Sequence, residues 1–295
     1  MTDASGLGAV RTACNRLLGA APMRAVPLAR SEHSAVFRVW LPDVERPVIV
    51  KVYQGTAAWK AAKEQRVIEG LAASGHKAFT TPAVLAAGLL PDGVRALCLQ
   101  DGGTSLQDAL DQFRYPRTKA LSVLNKLLAG VHLQPDLQVP RLRSLAEQVR
   151  HLQDRLPPSV HDATAQVLDD VLTAGARAEQ VWCHGDLHFA NILLPEGQRD
   201  APPCLIDFEE TTYAPAAYDL AQSAVTTETL DPAGLAMLTR GHDVDPRLLE
   251  GLIVFHCLRG RFYADRDTAR WHTRLEAALT RAHHPRTHSL RPRGF

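Results

Sequence analysis

The chain has 295 residues, 45% hydrophobic and 22% charged, and 33 Lys and Arg against 32 Asp and Glu leave a formal charge of +1. That length predicts two lobes with ample core, and the balance excludes a nucleic-acid binder that works by blanket charge. The apolar content excludes disorder as the main state.

In chain order, Leu7, Val10, Leu17 and Leu18 predict a short leading helix. MRAVPLA, AVFRVWL and PVIVKVY read as strands, and residues 58–73 as a helix with Val67, Ile68 and Leu71 on one face. RALCLQ is a further strand that ends at the Gly-containing connector DGGTS. After Thr104, SLQDALDQ, TKALSVLNKLLAGVHL, SLAEQVRHLQ and TAQVLDDVLTAG carry apolar residues at helical spacing. Short strands VWCH, NILL and CLIDF interrupt them, and helices resume from Ala216. The expected fold class is α+β. Residues 1–101 form a small β-rich lobe with one Glu-bearing helix and a hinge at its end. Residues 102–284 form a larger, mainly helical lobe, and 285–295 a basic, flexible tail.

No apolar run approaches the ~20 residues of a membrane-spanning helix. The start MTDASGLG lacks the order of a signal peptide, and Cys14, Cys98, Cys183, Cys204 and Cys257 include no C-x-x-C. A cytoplasmic protein with reduced thiols is expected.

The most informative segment is VWCHGDLHFANILL, residues 181–194. His184, Asp186 and Asn191 follow a strand end, the next strand starts at Asn191 or Ile192, and CLIDFEE places Asp207 at the end of another. A hairpin of this kind is expected to bring Asp186, Asn191 and Asp207 to one edge. Phosphoryl transfer needs such a set: one carboxylate to deprotonate a hydroxyl, an Asn and an Asp to hold magnesium. Upstream, alternation puts Lys51 on the face of Ile49 and Tyr53, opposite Val48, Val50 and Val52. A lysine in an apolar strand requires a partner. Glu64 shares a helical face with Ile68 and Leu71, whereas Glu69 turns to solvent, so the pair expected is Lys51–Glu64.

His-Gly-Asp-x-x-x-x-Asn followed by Ile-Asp-Phe-Glu resembles the aminoglycoside phosphotransferase and choline kinase group, protein-kinase-like enzymes that phosphorylate small molecules. The resemblance spans about residues 28–222. It implies a two-lobed kinase-like fold, Asp186 as base, Asn191 and Asp207 as Mg2+ ligands, and Lys51 with Glu64 at the phosphates of ATP or GTP. His184 would brace the loop, and Asp219 would cap or brace it. His188 reads equally as a structural loop histidine or as a group near phosphate or substrate, and Glu209 as a solvated acid or as metal or substrate support.

LARSEHSAVFRV departs from the protein-kinase pattern, because it has no glycine where the phosphates are covered. Ser31, His33 and Ser34 are the candidate side-chain donors there. The base of the nucleotide is expected near Leu99, Gln100 and Asp101. No activation loop with A-P-E separates Asp207 from Asp219, and Gly185 stands where protein kinases carry an arginine, so the acceptor is read as a small hydroxylated molecule, most simply an antibiotic. Residues 241–295 hold 10 Arg and 6 acids, a balance that does not favour a polycation site. A sugar, nucleoside or glycolipid kinase is the alternative, and a nucleotide-binding pseudokinase the third reading.

Overall fold

The computed structural model describes residues 3–31, 33–75, 77–134, 143–195, 201–263 and 268–283. The expected tail, 285–295, lies outside the described residues, as does most of the polar turn after Leu194. The chain divides into two compact units. The first runs through Asp108 and takes in Ala190–Glu209. The second holds the described residues between Ala109 and Phe189 and those from Glu210 on.

The first unit is built on an antiparallel five-stranded sheet of order β1-β2-β3-β5-β4. Its strands are β1 (Arg24–Arg30), β2 (Ser34–Trp40), β3 (Val48–Tyr53), β4 (Val84–Leu89) and β5 (Arg95–Gln100). The leading helix α1 (Asp3–Ala13) continues as a π-helical turn over Cys14–Leu18. Val10, Ala13 and Cys14 form one core with Phe37, Val39, Val48, Val50, Val52, Ala96 and Cys98. The opposite face of β3 presents Tyr53, which clusters with Ala57 and Ala61 beside α2 (Ala58–Ser74). Period-two alternation thus divides β3 between two cores, and Lys51 falls on the α2 side.

A three-stranded sheet of order β6-β8-β9 joins β6 (Thr104–Ser105), β8 (Ile192–Leu194) and β9 (Cys204–Leu205). This pairing is why residues 190–209 pack with the first unit. Gly102 runs close to it: a Cβ there would lie 2.6 Å from Leu193 Cδ1, the end of a side chain that would have to shift.

The second unit is helical: α3 (Leu106–Asp111) leads into it, followed by α4 (Arg117–His132), α5 (Leu145–Gln153), α6 (Pro158–Gly175), α7 (Ala217–Thr226), α8 (Pro232–Leu238), α9 (Pro246–Tyr263) and α10 (Thr268–His283). Helix α9 packs against α6, α7 and α10. It buries Leu252, Ile253, Phe255 and Leu258 almost completely. One finding departs from expectation: β4 is a strand that the Ala-rich run VLAAGL did not signal. β7 (Val181–Cys183) pairs with β10 (Thr212–Ala214). No helix among the described residues is long and apolar enough to cross a membrane. All five cysteines are free and buried. Burial holds Cys98 up at about 12 and Cys204 at about 11, so both stay thiols at neutral pH.

Candidate active site

In the first unit, Lys51 Nζ donates to Glu64 Oε1 at 2.7 Å and to Asp207 Oδ1 at 2.8 Å. Burial alone would lower its pKa, but Asp207 and then Glu64 outweigh that and raise it. The Tyr53 hydroxyl donates to the other Glu64 oxygen at 2.9 Å. Burial, and then the Glu64 charge, push the Tyr53 phenol well up, so it remains a donor. Glu64 is fully buried and held from both sides. Glu69, as expected, is exposed and accepts a bond from Gln65 Nε2.

Asn191 and Asp207 occupy one end of the β8–β9 ladder. Ile192 pairs with Leu205, and the Ile206 N–H donates to the Asn191 carbonyl at 3.1 Å. Asp207 follows immediately, with φ at +70°, a left-handed backbone rare outside glycine. Strain of this kind costs roughly 1–3 kcal/mol, and the Lys51 bond offsets it. A carboxylate and a side-chain carbonyl oxygen suit a hard divalent cation such as Mg2+. Just beyond, Glu209 pairs with Lys60 at 3.3 Å, and its backbone carbonyl accepts from the buried Lys63 Nζ at 2.7 Å.

The Ser31–Ser34 turn is closed on itself. Ser31 N–H donates to the Ser34 carbonyl at 2.8 Å, Ser34 N–H to Ser31 Oγ at 3.1 Å, and the two hydroxyls are 2.7 Å apart. The His33 carbonyl accepts from Gln54 N–H. Near the end of β5, Leu99 is buried and Gln100 N–H donates to the Ala83 carbonyl. Asp101 pairs with Arg38 at 2.7 Å and accepts from Gly103 N–H at 3.2 Å.

In the second unit, the loop after β7 carries His184, Asp186 and His188. Asp219, fully buried on α7, accepts from the N–H groups of His184 and Gly185, both at 2.8 Å. His132 Nε2 of α4 lies 3.4 Å from the same carboxylate. His184 is itself buried, and its Nδ1 accepts from Asp186 N–H at 3.3 Å. Gly185 has φ at +83°, and a Cβ there would sit 2.1 Å from the Glu210 carbonyl oxygen. No side chain fits at that place.

Asp186 Oδ1 accepts from Gln222 Nε2 at 2.9 Å, and His188 Nε2 lies 3.6 Å from Oδ2. Arg259 of α9 donates to Glu210 at 2.7 Å and to the Tyr218 hydroxyl at 3.0 Å. The Tyr218 and Glu210 interactions raise the Arg259 pKa further against burial, so it is a fixed charge.

The sequence thus located Lys51, Glu64 and Asp207, which the fold brings together, and Asn191 on the same ladder end. It did not locate Tyr53 as a donor, Lys63, Gln222 or Arg259. Only Tyr53 carried a signal, by sharing the β3 face of Lys51.

A model of the phosphotransferase enzyme family matches residues 24–252. Among solved structures, aminoglycoside 2'-phosphotransferase-IIIa in its GDP complex is similar at TM-score 0.69 and 15% identity, over 93% of this chain and 98% of that one. Spectinomycin phosphotransferase with ADP and spectinomycin aligns at TM-score 0.56 and 14% identity, over 94% and 97%. A choline/ethanolamine kinase family protein from Mesorhizobium loti aligns at 0.61 and 15%, over 94% and 93%. At these identities the likeness shows the fold, which is α+β and protein-kinase-like, with an antiparallel sheet in its N-terminal region and helices in most of the rest. No curated protein matches the chain.

Proposed function

This chain belongs to the phosphotransferase enzyme family, and we propose that it moves the γ-phosphate of ATP or GTP to a hydroxyl of a small molecule, an antibiotic before other acceptors. The observation that carries the reading is the buried Lys51 held between Glu64 and Asp207. A lysine kept charged in that way is poised for nucleotide phosphates. Asp186 takes the proton of the acceptor hydroxyl as its oxygen bonds to the γ-phosphorus. The bond to the bridging oxygen breaks, and the nucleoside diphosphate leaves with the electron pair. Lys51 binds the phosphates, and the backbone of Leu99–Asp101 receives the base.

Asn191 and Asp207 are the residues that would hold Mg2+, which when bound supplies positive charge against the phosphates. The hydroxyls of Ser31 and Ser34 share one hydrogen bond, which leaves one O–H to donate, so Lys51 supplies the main positive charge toward the phosphates. A second reading, a neutral or anionic metabolite as acceptor, draws on the acids of the helical unit. Glu210, Glu228 and Glu250 each pair with an arginine, which lowers the attraction for a polycation.

The test offers the full chain Mg2+, ATP or GTP, and pooled aminoglycosides, peptide antibiotics, nucleosides and sugars, with Asp186→Asn as control. A gain of one phosphate mass in a compound, absent in the control, is expected, and the compound decides between the two acceptor readings. Turnover by Asp186→Asn at the wild-type rate would overturn the base assignment. A general base contributes about 10²–10⁴ in rate, so the contrast is large.

A further inference from the structure

Three side chains on one face of α7 grip three successive stretches of the catalytic loop. Asp219 takes the N–H groups of His184 and Gly185. Ser223 Oγ donates to the Leu187 carbonyl at 2.6 Å. Between them in register, Gln222 Nε2 donates to the Asp186 carboxylate at 2.9 Å. Positions i, i+3 and i+4 share a helix face, so one turn of α7 is a rail along residues 184–187. Asp219 and Ser223 are fully buried, and their bonds to the loop go to its backbone. Of these three, Gln222 is the one that bonds to the Asp186 side chain.

From this geometry we infer that Gln222 is a positioning residue for the base: its amide fixes the orientation of the Asp186 carboxylate. A carboxylate only accepts, so the amide nitrogen must be the group that faces it. A bond to an ionised acceptor is among the stronger hydrogen bonds. The side chain of Asp186 is about one-third exposed, and Gln222 holds its Oδ1 while His188 lies 3.6 Å from Oδ2, so loss of the Gln222 amide frees one carboxylate oxygen from the contact that α7 gives it. The inference rests on the assignment of Asp186 as base.

The test compares Gln222→Leu and Gln222→Glu in the full chain, both near the size of glutamine. Phosphate release from ATP or GTP to water is followed with Mg2+ present and Asp186→Asn as control. Loss of the donor in Gln222→Leu is expected to lower kcat about tenfold or more, the worth of a bond to a charged group, with the nucleotide KM unchanged. Gln222→Glu sets a second carboxylate against Asp186 and is expected to fall further. A packing role predicts the reverse order, with Glu near wild type and Leu impaired. That order, or a loss confined to KM, overturns the inference.

A second measurement needs no turnover. The Gln222 side-chain amide resonance, assigned from its loss in Gln222→Leu, should shift when Asp186→Asn replaces the carboxylate, and an unmoved resonance overturns the contact. Failure of the kinase reading is told apart: there wild type and Asp186→Asn release phosphate equally, while the amide resonance still reports on Gln222.

Discussion

At Lys51 two acids meet one cation inside an apolar strand. Removing one partner of a buried pair leaves a stranded charge and costs roughly 3–5 kcal/mol. Lys51 has two partners, so the residues differ in what their loss does. Glu64 is fully buried and also serves Tyr53, whereas the Asp207 side chain is 34% exposed. Asp207→Asn therefore leaves the Lys51–Glu64 pair intact and keeps the unit folded. It removes a carboxylate from the proposed cation site. The midpoint of a Mg2+ titration of nucleotide binding should rise at least about tenfold, the lower end of what metal-site substitutions cost. An unchanged midpoint in a folded variant would remove Asp207 from the metal role. The residues of this cluster were legible because β3 alternates cleanly and α2 repeats at i, i+4, i+7. The left-handed backbone of Asp207 was not, since nothing local in CLIDFEE marks it.

Helix α2 meets the segment after Asp207 with two lysines of unequal standing. Lys63 is buried and gives its ammonium to the Glu209 carbonyl, while Lys60 makes a part-exposed ion pair with the Glu209 side chain. A backbone carbonyl that loses a buried, charged donor costs about 1–3 kcal/mol, and a solvent-screened pair about 0–1. Lys63→Met should lower urea stability by the larger amount and Lys60→Met by the smaller; equal losses would refute this ranking. Neither contact was visible in the sequence, because partners 146 and 149 positions apart leave no periodic trace. The same holds for elements. β3, β5, α2 and α4 declare themselves by period, but VLAAGL lacks the β-branched residues that mark strands and becomes β4 only by pairing with β5. The short VWC run predicts a strand but not its partner, which β10 supplies from much later in the chain. Register between distant strands is set by tertiary packing.

At the scale of the whole molecule, stability depends on pH through a histidine at the centre of the helical unit. His256 lies on α9, 2% exposed, with its ring 4.6 Å from Tyr218 and 5.0 Å from Phe255. Burial, and then the Arg259 charge, depress its pKa well below the ordinary 6.5. The unfolded chain takes up a proton there as pH falls through 6.5, and the native chain does not. The contribution to stability is therefore complete above that value and is lost on acidification, at about 1.4 kcal/mol per pH unit, until the folded group titrates. Against a total of roughly 5–15 kcal/mol for a domain, one unit is a measurable share. Burial pushes Tyr218 up and its interactions push Arg259 up, so neither of these neighbours changes charge between about pH 5.5 and 7.5, a window of about two units around 6.5. Other histidines add their own slope, and comparison with His256→Leu cancels them. Between these two pH values, wild type should lose about 1.4 kcal/mol more stability to urea than His256→Leu does. Equal losses would mean that His256 is protonated in the native protein, and that the core around α9 admits a charge that its contacts with Tyr218 and Phe255 argue against.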